Sequence, residues 1–277
     1  MNNTFGTNEL AEVCAIIHAR TGIVISSNQL MPMRRWINRQ ISKRGIDSLD
    51  YIELIRNQSD ASEFDHLLRF FINHETFFFR DFDQLAYFAE VCLPEIESVK
   101  KKQAGSSRIR VWSAGCSTGE ETYTLAIILS TMIEDKRLKC QVMGTDIDPQ
   151  VIDFCRIGQY SEKVQIAVPP EYLPQYFIKN QAGYLVGAEL RKMVVFNELN
   201  LLEFISTNNR YVGFDALFCK NVLFYFDEST QEQILHKFYQ SVNPGGFLCL
   251  DYSVSIQNIM KQLDLADMGK FYYRKAM

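Results

Sequence analysis

The chain has 277 residues, 47% of them hydrophobic and 13% aromatic, with 22% charged and a formal net charge of −4. That apolar content excludes intrinsic disorder, and the mild acidity argues against general nucleic-acid binding. No apolar run approaches the ~20 residues of a membrane span, so no membrane insertion is expected.

The opening MNNTFGTNELAEV lacks a charged segment followed by an apolar one, so no signal peptide is expected. Seven scattered cysteines without CxxC, and four histidines without HExxH, point to a reduced cytoplasmic chain with no metal centre. Residues 1–72 read as helical. ELAEVCAIIHARTGI repeats apolar residues at helical spacing, and Pro32 sits where the next helix could begin, ahead of MRRWINRQISKRG. Gly45 closes that helix as a C-cap. Further helices are expected over Leu49–Asn57 and Ala61–Phe71. Between Val13 and Ile46 there is no Asp or Glu. At about 100° per residue Arg35, Arg39 and Lys43 form one stripe of the helix, nearly opposite Met33, Ile37 and Ile41. An acid-free basic face on an acidic protein suits an acidic docking partner, although such a stripe is also an ordinary solvated face.

Residues 99–107 (VKKKQAGSS) resemble a linker. Beyond them strands and helices alternate: RIRVWSAG then GEETYTLAIILSTMIED, CQVMGTDID then DPQVIDFCRIG, an irregular or β-rich stretch over 160–200, FDALFCKNVLFYF then STQEQILHKFYQSV, PGGFLCLDY, and a final strand FYYRKAM. This texture predicts a mostly parallel sheet flanked by helices.

In such sheets ligands bind beyond the carboxyl ends of the strands, at the topological switch point. The first strand end is Ser113-Ala114-Gly115-Cys116-Ser117-Thr118-Gly119-Glu120-Glu121. It is neither GxGxxG nor GxxxxGK[ST], and two acids at a helix start disfavour a polyphosphate. They suit a cationic or hydroxyl-rich ligand. Asp146, at the end of the next strand, is placed to accept hydrogen bonds from ribose hydroxyls. Together these point to a nucleoside without polyphosphate, S-adenosylmethionine being the candidate. Each piece is also compatible with a plain βα connection.

The segments NHETFFFRD (Asn73–Asp81), WSAGCSTGEE (Trp112–Glu121), GTDID (Gly144–Asp148), Asn200-Leu201-Leu202 and FCKNVLFYF (Phe218–Phe226), in this order, closely resemble the chemotaxis receptor glutamate O-methyltransferases, the CheR family. The resemblance runs from Ile16 to Tyr252. It implies a class I S-adenosylmethionine-dependent methyltransferase (Rossmann-like) α/β sheet over 73–277, an inserted antiparallel β-subdomain around 160–200, and a small all-α receptor-docking domain over 1–72. By position it implies cofactor contacts at Thr76, Arg80, Glu121, Asp146 and Asn221, with Asn200 and Leu201 on the adenine side and Phe77, Phe78 and Phe79 as pocket walls. Arg80 would also face the transferred methyl, and Tyr225 would lie near the substrate carboxylate. His74 stands where many members have Asn, and Lys220 where Arg is commoner; both keep hydrogen-bonding capacity in cofactor-binding positions. After PGG the chain reads FLCLDYSVSI in place of a GHSE-like stretch.

The implied reaction is methylation of glutamate γ-carboxylates on the cytoplasmic helices of chemoreceptors, by a cytoplasmic monomer, leaving S-adenosylhomocysteine. A γ-carboxylate, with a pKa of about 4.3, is already an anion near neutral pH. A sulfonium methyl needs only in-line attack, so positioning and desolvation suffice without a strong base. Arg80 could orient one side of the carboxylate and Tyr225 steady the other. Two alternatives stay open: methylation of a small carboxylate, and a cofactor-binding scaffold without transfer.

Overall fold

A computed structural model describes residues 5–57, 61–102, 108–207, 210–251, 259 and 262–277. It begins with four helices: α1 (Thr7–Thr21), α2 (Ser27–Arg44), α3 (Ser48–Arg56) and α4 (Ala61–Phe71). α2 starts five residues ahead of Pro32, because Ser26 and Gln29 close a capping box. Pro32 therefore lies inside the helix, where its missing N–H leaves one carbonyl without its usual partner instead of opening the helix. Gly45 ends α2 in the left-handed conformation, φ 68°. Met33, Ile37 and Ile41 are buried, while Arg35, Arg39 and Lys43 are exposed.

α5 (Phe82–Tyr87) continues through a π turn (Phe88–Cys92) into α6 (Leu93–Lys102). Val99–Lys102, read from sequence as linker, are thus the last turn of a helix; the rest of that stretch, 103–107, lies outside the described residues. The alternating half follows: β1 (Arg108–Ala114), α7 (Glu120–Met132), β2 (Lys139–Asp146), α8 (Pro149–Ile157), β3 (Gln159–Tyr160), α9 (Val164–Ala167), α10 (Leu173–Tyr176), β4 (Phe177–Asn180), β5 (Gly183–Val186), α11 (Ala188–Met193), β6 (Val194–Glu198) and α12 (Leu201–Ser206). It ends with β7 (Phe214–Cys219), α13 (Glu228–Ser241), β8 (Val242–Leu250), β9 (Leu265–Gly269) and β10 (Tyr272–Lys275).

Seven strands form one sheet in the order β6-β2-β1-β7-β8-β10-β9. The first five are parallel, and β10 runs antiparallel to both β8 and β9. The chain builds outward from β1 to β6, then returns to β7 on the other side of β1, so the switch point lies at the carboxyl ends of β1 and β7. β3, β5 and β4 make a separate antiparallel sheet. The inserted sheet is narrower than the sequence suggested. Val194–Glu198 pairs with β2 as an edge of the main sheet, and pairing between distant strands leaves no local mark in the sequence. The hairpin partner β9 was likewise not foreseen.

The helical N-terminus shares one core with a face of the sheet. Val13, Ile17, Met33, Ile37 and Leu67 belong to the same cluster as Trp112, Leu217, Phe238 and Leu248. Trp112 is fully buried within 5.5 Å of the rings of Phe204, Tyr211, Phe214 and Phe238, and its indole N–H donates to Thr145 Oγ1 at 2.9 Å. α6, α7 and the insert cover the other face with a second core. Among the described residues, no helix is long and apolar enough to cross a membrane.

Candidate active site

The turn between β1 and α7 is shaped by glycine. Gly115 has φ 75°, and a Cβ there would come within 2.2 Å of Val222 Cγ2; at Gly119, φ 93°, it would come within 2.8 Å of Cys155 Sγ. Both positions exclude a side chain, which lets the turn lie close under a ligand. Three of its donors are already in use. The N–H groups of Gly115 and Cys116 donate to the Thr145 carbonyl at 2.7 and 2.9 Å, and that of Ser117 to Asp146 Oδ2 at 2.8 Å. A phosphate cradle needs those N–H groups free. This turn presents small surface and acids instead.

Of the two acids starting α7, only Glu121 lines the cavity above the turn. Glu120 accepts from Thr118 Oγ1 at 2.6 Å and belongs to the helix start. Glu121 accepts from Ser113 Oγ at 2.7 Å. Burial pushes its carboxyl above the usual range, only partly offset by Lys220, Ser113 and Arg80. Asp146 is also raised by burial, although the N–H groups of Asp148 and Ser117 favour its charged form. Asp148 behaves oppositely. Burial works against its charge, but His74, the Gln150 N–H and Arg69 outweigh it and hold the carboxyl below its ordinary value.

The segment between α4 and α5 crosses above the turn. Its three phenylalanines point three ways. Phe77 is exposed, Phe78 is buried edge-on against Tyr160 and Phe177 of the insert, and Phe79 stacks on Tyr172. Phe77 and Phe79 wall the cavity, whereas Phe78 anchors the insert. Arg80 follows, its Nη1 donating to the Glu75 carbonyl at 2.9 Å.

Two adjoining compartments result, sharing Asn73, Gly115, Ser117 and Asn221. The first brings together Thr76, Arg80, Glu121, Lys220 and Asn221. The second brings together His74, Asp146, Asn200, Leu201 and Tyr225. Tyr225 and Arg80 therefore line different compartments, and the Tyr225 phenol accepts from the Asn73 N–H at 3.0 Å. Asn200 has both ends of its amide engaged, Oδ1 with the Leu202 N–H at 3.0 Å and Nδ2 with the Arg20 carbonyl at 2.7 Å. The ring of His74 lies 3.5 Å from Asp148 Oδ2. Its carbonyl accepts from Ser117 Oγ at 3.0 Å. Ile23, Ile72, Ile147, Val222 and Phe226 complete the apolar wall and were not foreseen. Ile147, next to the strand-end acid, was legible. Ile23 was not, since it arrives from the helical N-terminus by a bridge to Phe226. The GHSE-like departure falls mostly on residues 252–258, outside the described residues.

A pocket with an apolar half, a strand-end acid and a buried carboxylate can hold a nucleoside at one end and a cation at the other. A family model for the S-adenosylmethionine-binding domain of CheR methyltransferases matches residues 74–271. This chain belongs to the CheR methyltransferase family. A chemotaxis protein methyltransferase of Salmonella typhimurium is 30% identical over 258 residues, covering 91% of this chain and 85% of that protein. Those of Borreliella burgdorferi and Escherichia coli are each 28% identical over 261 residues, covering 93% and 91% of this chain and 91% and 86% of their own lengths. The residues of this CheR-family pocket fit S-adenosylmethionine. Glu121, disfavoured by burial when it stands alone, suits a cationic group, and the occupied turn donors argue against a phosphate.

Proposed function

We propose that this CheR-family methyltransferase transfers the methyl of S-adenosylmethionine to glutamate γ-carboxylates on the cytoplasmic helices of chemoreceptors, in the cytoplasm. One observation carries the reading. Arg80 lines the compartment of Glu121 and also the open cavity leading out of it; its Nη1 donates to a neutral carbonyl, and among the described residues it makes no ion pair. A guanidinium without an ion pair at the outlet of a cofactor pocket suits an anionic acceptor.

When bound, S-adenosylmethionine supplies an electrophilic methyl on a cationic sulfur. Glu121 would hold the cationic amino-acid end, Asp146, at the end of β2, would hold the ribose, and Leu201 and Ile147 would flank the adenine. Arg80 orients the acceptor carboxylate by a charge-assisted hydrogen bond that leaves the other oxygen free to attack. No proton has to move, which agrees with the absence of a histidine from the Glu121 compartment. The exposed Arg35, Arg39 and Lys43 of α2 supply a basic face for an acidic receptor helix.

The test is transfer of labelled methyl from S-adenosylmethionine to purified receptor fragments, with sites mapped by mass spectrometry. Base-labile ester on glutamate is expected. If the label never enters the receptor, the proposal fails.

A further inference from the structure

Arg80 and Asp81 are neighbours of opposite charge, and both line the cavity that leads out of the Glu121 compartment. A guanidinium paired with its own neighbour would meet an incoming carboxylate already neutralised. That pairing is not made. Asp81 Oδ2 instead accepts from Lys220 Nζ at 2.5 Å, and among the described residues Arg80 makes no ion pair. Phe79 and Asp81, on either side of Arg80, have φ 58° and 56°. Non-glycine residues hold that left-handed conformation only where their surroundings enforce it. Both are fastened: the Phe79 N–H donates to Thr124 Oγ1 at 3.1 Å, and Asp81 is held by Lys220. Lys220 is 9% exposed and so requires a partner for its charge, whereas the Asp81 side chain is 47% exposed and requires none. Asp81 also makes no capping hydrogen bond to α5.

We propose that Lys220 is a positioning residue that keeps Asp81 away from Arg80, so that the guanidinium meets the acceptor carboxylate without an ion pair to its own neighbour. This role rests on the reading of the site as a carboxylate methyltransferase. It differs from a plain cofactor contact in one respect: the harm done by losing Lys220 is carried by Asp81, so removing Asp81 as well relieves it.

The test is a double-mutant cycle on the full chain, measuring methyl transfer to a receptor fragment at saturating S-adenosylmethionine and S-adenosylhomocysteine affinity by calorimetry. Lys220→Met is expected to lower transfer by about tenfold or more, with a raised KM for the acceptor. Adding Asp81→Asn is expected to restore most of that loss while leaving the cofactor affinity of Lys220→Met unchanged. A double variant no faster than Lys220→Met overturns the role. Lys220→Arg keeps the charge that can hold Asp81 and is expected to transfer faster than Lys220→Met; a folded Lys220→Arg as slow as Lys220→Met also overturns it. If the methionine variant does not fold, Lys220→Gln takes its place in the cycle. A wild-type chain that transfers no methyl to receptor counts against the proposed function and this role together. A wild-type chain that transfers while the cycle shows no relief counts against the role of Lys220 alone.

Discussion

The backbone N–H of Asn73 donates to the phenol oxygen of Tyr225 at 3.0 Å, joining residues 152 positions apart. This bond ties the segment that carries Thr76 and Arg80 to the loop after β7, and it spans the wall of the second compartment. Tyr225 is therefore expected to act first on the shape of the cofactor pocket. Tyr225→Phe removes one hydrogen bond of ~1 kcal/mol, so S-adenosylhomocysteine binding should weaken about fivefold. Transfer at saturating cofactor should change less. Calorimetry beside single-turnover rates separates the two, and a larger loss in rate than in affinity would return Tyr225 to the acceptor carboxylate.

Arg80 is expected to behave oppositely. Its guanidinium faces both the pocket and the outlet, and a charge-assisted hydrogen bond contributes ~1.5–3 kcal/mol. Arg80→Ala should lower methyl transfer about 10- to 100-fold while cofactor affinity stays within about threefold. Equal losses in both would make Arg80 a clamp on the cofactor.

Glu121 sets a pH dependence whose sign is opposite to that of a salt-bridged acid. Burial raises its folded pKa, so the stability tied to the protonated form is present below the unfolded pKa and is lost as pH rises through the folded one. The buried carboxyl therefore costs the ligand-free chain more stability at higher pH than at lower pH. Glu121→Gln should therefore raise Tm at neutral pH, by about 2–4 °C per kcal/mol relieved, and the gain should vanish in the acidic range. The same variant should bind S-adenosylmethionine more weakly. Thermal unfolding at several pH values checks the first outcome, and a variant that melts lower at neutral pH refutes it.

The shared core decides what a truncation can report. Ile17 is fully buried in the cluster that also holds Trp112 and Phe238, so Ile17→Ala should cost ~2–5 kcal/mol of stability. Deleting residues 1–72 should yield insoluble or unfolded protein, because it uncovers one face of the sheet and removes Ile23 from the pocket wall. A folded, active remnant of that deletion would show the helices dispensable and would favour a small carboxylate as acceptor.

Docking is tested by charge, not by deletion. Arg35, Arg39 and Lys43 are exposed, and among the described residues none of them makes an ion pair. Reversing all three to Glu should raise the KM for receptor about tenfold or more at low salt, with kcat and Tm little changed. Added salt should shrink the difference. An unchanged KM would make the stripe an ordinary solvated face.

Much of this was readable without coordinates because it rests on local pattern. The apolar period of α2 put Met33, Ile37 and Ile41 inside and the cations outside, and that is how the helix lies. The motifs singled out Thr76, Arg80, Glu121, Lys220 and Asn221, which line one compartment, and His74, Asp146, Asn200 and Leu201, which line the next. The start of α2 was misjudged because Pro32 is a weaker signal than the capping box formed by Ser26 and Gln29. Phe78 was assigned to the pocket, yet it anchors the insert, because three consecutive aromatics carry no sign of which one turns inward.

The sequence by itself determined the family, the alternation of strand and helix, the acids at the strand ends and the basic face of α2. These follow from residue types at short spacing, where side-chain periodicity and turn chemistry act. Only the tertiary structure decided that β6 completes the main sheet, that Ile23 reaches the pocket, and that Lys220 engages Asp81 while Arg80 does not. Each of these joins residues far apart in the chain, and such pairings are chosen by packing and by competition among charged neighbours, which no local stretch of sequence records.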